Sequence, residues 1–249
     1  MPHTDLSLPQ IAVVVPVKNE ADNILPLLGE IVAALEGRWS FEVIYVDDGS
    51  DDATPERLVA AKRDVQQLRI VRHRQSCGQS QAVASGVKAA GAPYIATLDG
   101  DGQNDPADIP ALFETLLAVP EGQRDMLLVA GFRQKRQDNG LRRLSSKVAN
   151  GIRAGLLGDA TPDSGCGLKL LSREAFLDMP RFNHMHRFLP ALMIRRGGRV
   201  VSVRVNHRPR ERGLSKYGLW NRLWVGIIDL FGVMWLQRRA SVPIIDRWD

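Results

Sequence analysis

Asp99 and Asp101 stand one residue apart, directly after the apolar run Tyr94–Leu98, and Gln103 follows two residues later. Two neighbouring carboxylates repel unless a cation or a hydrogen-bond network holds them. Hard oxygen ligands of this kind suit Mg²⁺ or Mn²⁺, above all where a substrate phosphate completes the shell. Asp and Gly are also ordinary turn formers, so the pair alone says little. Here it ends an apolar run, carries Gln103, and has a second acidic run end upstream at Asp47-Asp48. That coincidence favours a metal–diphosphate site. A third cluster has the opposite sign. Within residues 204–216, Arg204, Arg208, Arg210, Arg212 and Lys216 face a single acid, Glu211. Gly213-Leu214-Ser215 lies inside that cluster. It reads as a mobile loop that clamps phosphates, or as a basic edge strand with no ligand.

The elements around these residues alternate. Ile11–Val15, Glu42–Val46, Leu68–Arg72, Tyr94–Leu98 and Met126–Ala130 read as buried strands. Between them, Ile24, Leu27, Leu28, Ile31, Val32 and Leu35 recur at helical spacing. Thr54-Pro55 opens a second helix and Gln79–Ala90 forms a third. Asp105-Pro106 reads as the N-cap and first residue of a helix reaching about Ala118. Such alternation predicts an α/β fold, a mostly parallel sheet with helices on both faces. Ligands then sit at the carboxyl ends of the strands. Both acidic clusters fall there, and so does the loop Pro16-Val17-Lys18-Asn19-Glu20. Glu20 taken singly reads equally well as an acid at a helix N-terminus. The second half is less regular. Leu141–Leu157 and Arg187–Arg195 are expected to be helical, and Gly167–Leu171 and Val200–Val205 to be strands.

The chain has 249 residues, 44% hydrophobic and 24% charged, which is ordinary for a soluble globular protein. Cys77 and Cys166 make no zinc pattern and no disulfide framework. Residues 1–10 lack an apolar core, so no secretory signal is expected. Charge is uneven. Residues 195–249 hold 12 Lys/Arg against 4 Asp/Glu, a net +8, which leaves −3 for residues 1–194. A basic end suits nucleic acid, anionic lipid or a phosphorylated substrate, or is simply a solvated surface. No nucleic-acid recognition motif accompanies it, so no nucleic-acid partner is expected.

The tail is rich in tryptophan. Residues 219–236 hold Trp220, Trp224 and Trp235 among aliphatic side chains, interrupted by Asp229 and flanked by Arg222, Arg238 and Arg239. A membrane span needs ~20 apolar residues. This stretch suits a helix lying in a membrane interface. The alternative is a helix packed on the domain or on a partner subunit, which would make the chain a homo-oligomer. His184-x-His186 lacks a partner set for a metal, and Cys166 reads as a small packing residue.

PVKNEADNI, VDDGSDDAT and LDGDGQNDP, in this order, resemble the family 2 glycosyltransferases of the GT-A fold. HRPRERGLSKYG, residues 207–218, is similar to the signature of the dolichyl-phosphate mannose synthase and polyprenyl-phosphate glycosyltransferase branch. The resemblance implies a GT-A domain over residues 10–217, an N-terminal tail over 1–9, and an amphipathic juxtamembrane segment over 218–249. It implies that Pro16, Lys18, Glu20 and Asp48 hold the base and ribose of a nucleotide-sugar. Lys18 stands where an aromatic residue is often found. Asp99, with Gly100 beside it, matches a ribose- or metal-proximal carboxylate, and Asp101 and Gln103 match the metal ligands. Arg133 and Arg143 match basic residues near the phosphates. Asp163-Ser164-Gly165 resembles the family's acceptor-side segment, with Lys169 in place of its arginine. Arg210 and Lys216 match the basic pair of the acceptor loop. The Gln-x-x-Arg-Trp motif of processive synthases is absent after Gln237.

The expected reaction is therefore a single inverting displacement. A nucleotide-sugar donor, UDP- or GDP-linked, gives its sugar to a polyprenyl or dolichyl phosphate, with Mg²⁺ or Mn²⁺ as cofactor. The enzyme would sit peripherally on the cytoplasmic face of a membrane, held by residues 218–239. Metal and cations stabilise charge on the leaving diphosphate. A lipid monophosphate, with a second pKa of ~6, needs no general base. A hydroxyl acceptor on a glycan, protein or glycolipid would need one, and Asp163 is the candidate. A non-catalytic nucleotide-sugar or membrane-binding module is the remaining reading.

Overall fold

The computed structural model describes residues 8–133, 151, 153–209 and 219–241. Seven strands form one sheet: β1 Ile11–Val17, β2 Phe41–Asp47, β3 Leu68–Arg72, β4 Tyr94–Thr97, β5 Leu127–Arg133, β6 Lys169–Ser172 and β7 Arg199–Val205. Their order is β3-β2-β1-β4-β6-β5-β7. All neighbours run parallel except β6, which is antiparallel to both β4 and β5. Every predicted strand is present. The antiparallel insertion of β6 was not predicted, because burial periodicity carries no pairing partner or direction.

Helices cover both faces. They are α1 Ile24–Leu35, α2 Thr54–Asp64, α3 Gln79–Ala89, α4 Ile109–Leu117, α5 Glu121–Arg124, α6 Arg173–Asp178, α7 Leu189–Arg195 and α8 Leu219–Arg238. Residues 153–157 are also helical. Successive side chains of a strand point to opposite faces, and β1 shows this directly. Ile11, Val13, Val15 and Val17 join α1, Leu58 of α2, and α4 in one core. Ala12 and Val14 join α3, Phe176 of α6, α7 and Val233 of α8 in the other. Both faces being covered explains the unbroken apolar runs in β1 and β2. Each fully buried aliphatic side chain contributes about 1.5–3 kcal/mol relative to exposure.

Helix starts follow local chemistry. Asp105 accepts from Ala107 N at 3.0 Å, but it caps a 3-10 turn, Pro106–Asp108, which then leads into α4. Ser172 caps α6 by accepting from Ala175 N at 3.0 Å. Of the expected helix over 141–157, residues 141–150 lie outside the described residues.

The carboxyl ends of β1, β2 and β4 meet at one edge. Val17 is in register with Asp47, and Asp48 N donates to Val17 O at 2.9 Å. A Cβ on Gly100 would meet Val17 Cγ1 and Pro16 O, so only glycine lets the acidic turn lie this close to β1.

Candidate active site

Asp48 is buried, and its carboxylate is held by the loop between β3 and α3. Its Oδ1 accepts from Cys77 N at 2.8 Å and lies 2.7 Å from His73 Nδ1. Its Oδ2 accepts from Ser76 Oγ at 2.7 Å and Gly78 N at 2.8 Å. Burial alone would raise this carboxyl, but the bonds from Cys77, His73, Ser76 and Gly78 outweigh it and hold the group below the usual range. Among the described residues, Asp48, His73 and Cys77 form the one cluster of three with metal-ligand spacing. Hydrogen bonds already close it: His73 Nε2 lies 2.9 Å from Ser85 Oγ. It works as a clasp that seats α3 at the sheet edge.

Asn19 makes a second clasp. Its N donates to Ser50 Oγ at 2.9 Å, its Nδ2 to Asp51 Oδ1 at 2.5 Å, and its Oδ1 accepts from Asp51 N at 3.0 Å. The residue sits at φ 54°, a left-handed conformation that asparagine tolerates. Next to it, Glu20 N donates to Thr54 Oγ1 at 2.9 Å, and the Glu20 carboxylate accepts from Asn23 Nδ2 at 2.6 Å. Lys18 is exposed on the same loop.

A cleft of about 400 Å³ opens beside this edge, lined by residues that include Pro16, Gln79, Asp99, Arg133, Lys169 and His186. Asp99 stands on its floor, where Oδ1 accepts from Gln79 Nε2 at 2.7 Å. Desolvation first, then the Asp101 charge, raises the Asp99 carboxyl above its ordinary range, against Lys169, Gln79 and Arg133. A Cβ on Gly167 would collide with that carboxylate. Gly167 is therefore what lets the opposite wall approach Asp99. Asp101 faces a smaller cleft of about 180 Å³, together with Glu30 and Arg208, and accepts from Gln103 N at 3.1 Å. The carboxylates of Asp99 and Asp101, with the side-chain carbonyl of Gln103, are a hard oxygen set, and the mutual repulsion of the two acids is what a divalent cation relieves. The donor set fits Mg²⁺ or Mn²⁺.

The far wall of the cleft is built from side-chain pairs. Arg133 grips Asp163 in a fork, Nε to Oδ2 at 2.5 Å and Nη2 to Oδ1 at 2.9 Å. Burial would lower the Arg133 guanidinium, but the Asp163 bond and charge raise it. Lys169 is buried, donates to Cys166 O, and has its ammonium pushed down by desolvation. His186 Nδ1 lies 2.8 Å from Ser80 Oγ. Burial, helped by Lys169, Arg187 and His184, pushes its pKa down to about 3, so the ring is neutral near pH 7. Arg187 completes this wall.

The structure thus brings Pro16, Asp99, Arg133 and Lys169 to one cleft, sets Asp163 behind Arg133 as its partner, and sets Asp101 at the neighbouring cleft with Gln103 bonded to it. Arg143, Arg210 and Lys216 lie outside the described residues. The segment leading to Arg210 is visible: Arg208 N donates to Gln103 O at 3.0 Å, and Arg208 Nη2 to Glu30 Oε2 at 2.7 Å. The basic segment therefore starts against the Gln103 loop, and one of its cations is paired with Glu30. Sequence reasoning missed Asn19, Gln79, Gly167 and His186. Only Asn19, inside the quoted PVKNE run, carried a local signal.

The chain matches the model of glycosyl transferase family 2 over residues 12–179. The chain belongs to this family. A dodecaprenyl-phosphate galacturonate synthase from Rhizobium johnstonii is 36% identical over 244 residues, which is 94% of this chain and 69% of that protein. An undecaprenyl-phosphate 4-deoxy-4-formamido-L-arabinose transferase from Edwardsiella ictaluri is 34% identical over 211 residues, 84% of this chain and 63% of that protein. This chain thus spans about two thirds of the length of these relatives. Glucosyl-3-phosphoglycerate synthase from Mycobacterium tuberculosis, solved with Mn²⁺ and UDP-glucose, superposes with a TM-score of 0.65 at 21% identity, covering 95% of this chain and 81% of that one. A mannosyltransferase from Pyrobaculum calidifontis, solved with GDP-mannose and Mn²⁺, gives 0.66 at 21%, covering 95% and 66%. These two likenesses establish the fold, a GT-A sheet flanked by helices.

Proposed function

We propose that the chain transfers one sugar, with inversion, from a UDP- or GDP-sugar to a polyprenyl phosphate, aided by Mg²⁺ or Mn²⁺. The observation that carries the choice of acceptor is the state of Asp163. Both of its oxygens are engaged by the Arg133 fork, so it is poorly placed to take a proton from a hydroxyl. A lipid phosphate brings its own nucleophilic oxygen and needs cations instead, which Arg133, Lys169 and Arg187 supply to the cleft. The names of the relatives above support the same acceptor class.

In this reading Pro16, Lys18, Glu20 and the clasped Asp48 edge hold the nucleoside, with Arg143 near the phosphates. Asp99, Asp101 and Gln103 would hold the cation, which when bound neutralises charge on the leaving diphosphate. Arg210 and Lys216 would close over donor diphosphate or lipid phosphate. We take residues 10–217 as the catalytic domain and 218–249 as a tail on the cytoplasmic membrane surface. Two observations support that tail. Ile228, Phe231 and Trp235 of α8 are exposed at helical spacing, and the opposite face, with Val233, is packed on the domain. Among the described residues, no helix is long and apolar enough to cross a membrane.

The test is transfer from radiolabelled UDP- and GDP-sugars to polyprenyl phosphate in vesicles. Asp101→Ala should lose about 10²–10³-fold in rate, the scale of removing one preorganised electrostatic group. Transfer equal to wild type would overturn the metal site. Wild-type transfer to hydroxyl acceptors alone would overturn the acceptor.

A further inference from the structure

His184 Nδ1 lies 3.0 Å from Asp229 Oδ2, an ion pair or charge-assisted hydrogen bond between the domain and α8. Asp229 is the single acid of that helix. His184 sits at φ 66°, ψ 7°, a left-handed conformation that a non-glycine residue keeps only when its surroundings fix it. It opens the 3-10 turn Met185–Arg187. Arg187 N donates back to His184 O at 3.0 Å, and Met185 is buried in the core that also holds Val233. The next two residues, His186 and Arg187, are wall residues of the larger cleft. His186 also binds Ser80 through both its ring and its backbone N.

We propose that Asp229 and His184 are positioning residues: the pair fixes the Met185–Arg187 turn so that His186 and Arg187 present a set wall to the acceptor, and the tail helix thereby governs acceptor affinity. This rests on the lipid-phosphate reading above. The helix has other anchors. Val233 is fully buried, Gln237 Nε2 donates to Leu157 O at 2.9 Å and Ala191 O at 3.2 Å, and Arg195 Nε donates to Leu236 O at 3.0 Å. Removing the Asp229 carboxylate therefore loosens the turn while leaving α8 docked.

The experiment varies polyprenyl phosphate and nucleotide-sugar independently with the full chain. Asp229→Ala should raise the acceptor KM about tenfold, well within the on-the-order-of-100-fold that misplaced groups can cost, with donor KM and Tm near wild type. Asp229→Asn, whose carbonyl still accepts from Nδ1–H, should recover most of that loss. Hydrogen exchange should quicken at residues 185–188 in Asp229→Ala and stay unchanged in β1. An acceptor KM within about twofold of wild type overturns the proposal. So does a rise in both KM values with a lowered Tm, which marks general loss of packing. If the wild type fails to use polyprenyl phosphate at all, the functional reading falls. The exchange at 185–188 then still decides whether Asp229 holds the turn, and unchanged exchange overturns the latch.

Discussion

The strand edge beside the cleft, around Asp48 and Asn19, and the far wall of the cleft are held by different networks. At that edge, the Asp48 carboxylate is satisfied by the main-chain N–H groups of Cys77 and Gly78 together with the side chains of His73 and Ser76, and Asn19 stitches two loops through Ser50 and Asp51. On the far side, Arg133–Asp163, His186–Ser80 and His184–Asp229 are side-chain pairs. Two of the four bonds to Asp48 come from main-chain donors that the fold itself fixes, so that edge depends only in part on side-chain identity. The far wall rests on side-chain pairs, and its shape follows the identity of a few residues.

The point where the walls touch is the most sensitive. Gly167→Ala would place a methyl against the Asp99 carboxylate and force it off Gln79. Transfer should fall on the order of 100-fold, since displacement of a positioned group costs that much. Thermal unfolding should shift little, because Asp99 can rotate away. An active Gly167→Ala would show that the walls are less closely fitted than the geometry indicates.

Asp48→Asn tests the clasp at the strand edge. An amide would set N–H against N–H at Cys77 or Gly78, costing about 1–3 kcal/mol for the buried donor left unmet. Urea unfolding at pH 7 measures it. The sign with pH follows from the depressed carboxyl. The wild-type advantage is complete above the unfolded carboxylate value of ~3.9, and fades as acid takes the pH down through the lower folded value. An advantage that grows on acidification would contradict the clasp.

The smallest effect on stability is expected on the outer face of α8. Replacing Phe231 and Trp235 by serine should change unfolding by no more than about 0.5 kcal/mol per site, as for ordinary surface positions. Binding to anionic vesicles should nonetheless weaken in a sedimentation assay. Unchanged vesicle binding would remove the membrane from the account of this helix.

Much of the β1–β2–β4 edge was legible in the sequence. Strand periodicity put Asp48, Asp101 and the Pro16–Glu20 loop at one edge, and parallel topology did the rest. What Asp48 does there was not legible, since its partners at residues 73–78 carry no periodic signal. The far wall was less readable still. Lys169 faces Asp99 only because β6 enters the sheet backwards, and pairing direction leaves no trace in a strand of four residues, Lys-Leu-Leu-Ser. His184 and His186 looked idle because their partners, Asp229 and Ser80, lie 45 and 106 residues away. For the tail helix, the packed alternative is the one seen on its Val233 face, while the interfacial one is left to the exposed face and the vesicle assay.

The backward strand has one more consequence. β6 bonds to β4 through Thr97–Lys169 and to β5 through Ala130–Lys169. A single residue is thus riveted to the last position of one wall's strand and to a strand of the other. The floor of the cleft cannot widen without tearing the sheet. In the transfer proposed above, room for sugars of different bulk would then come from the rim of the cleft.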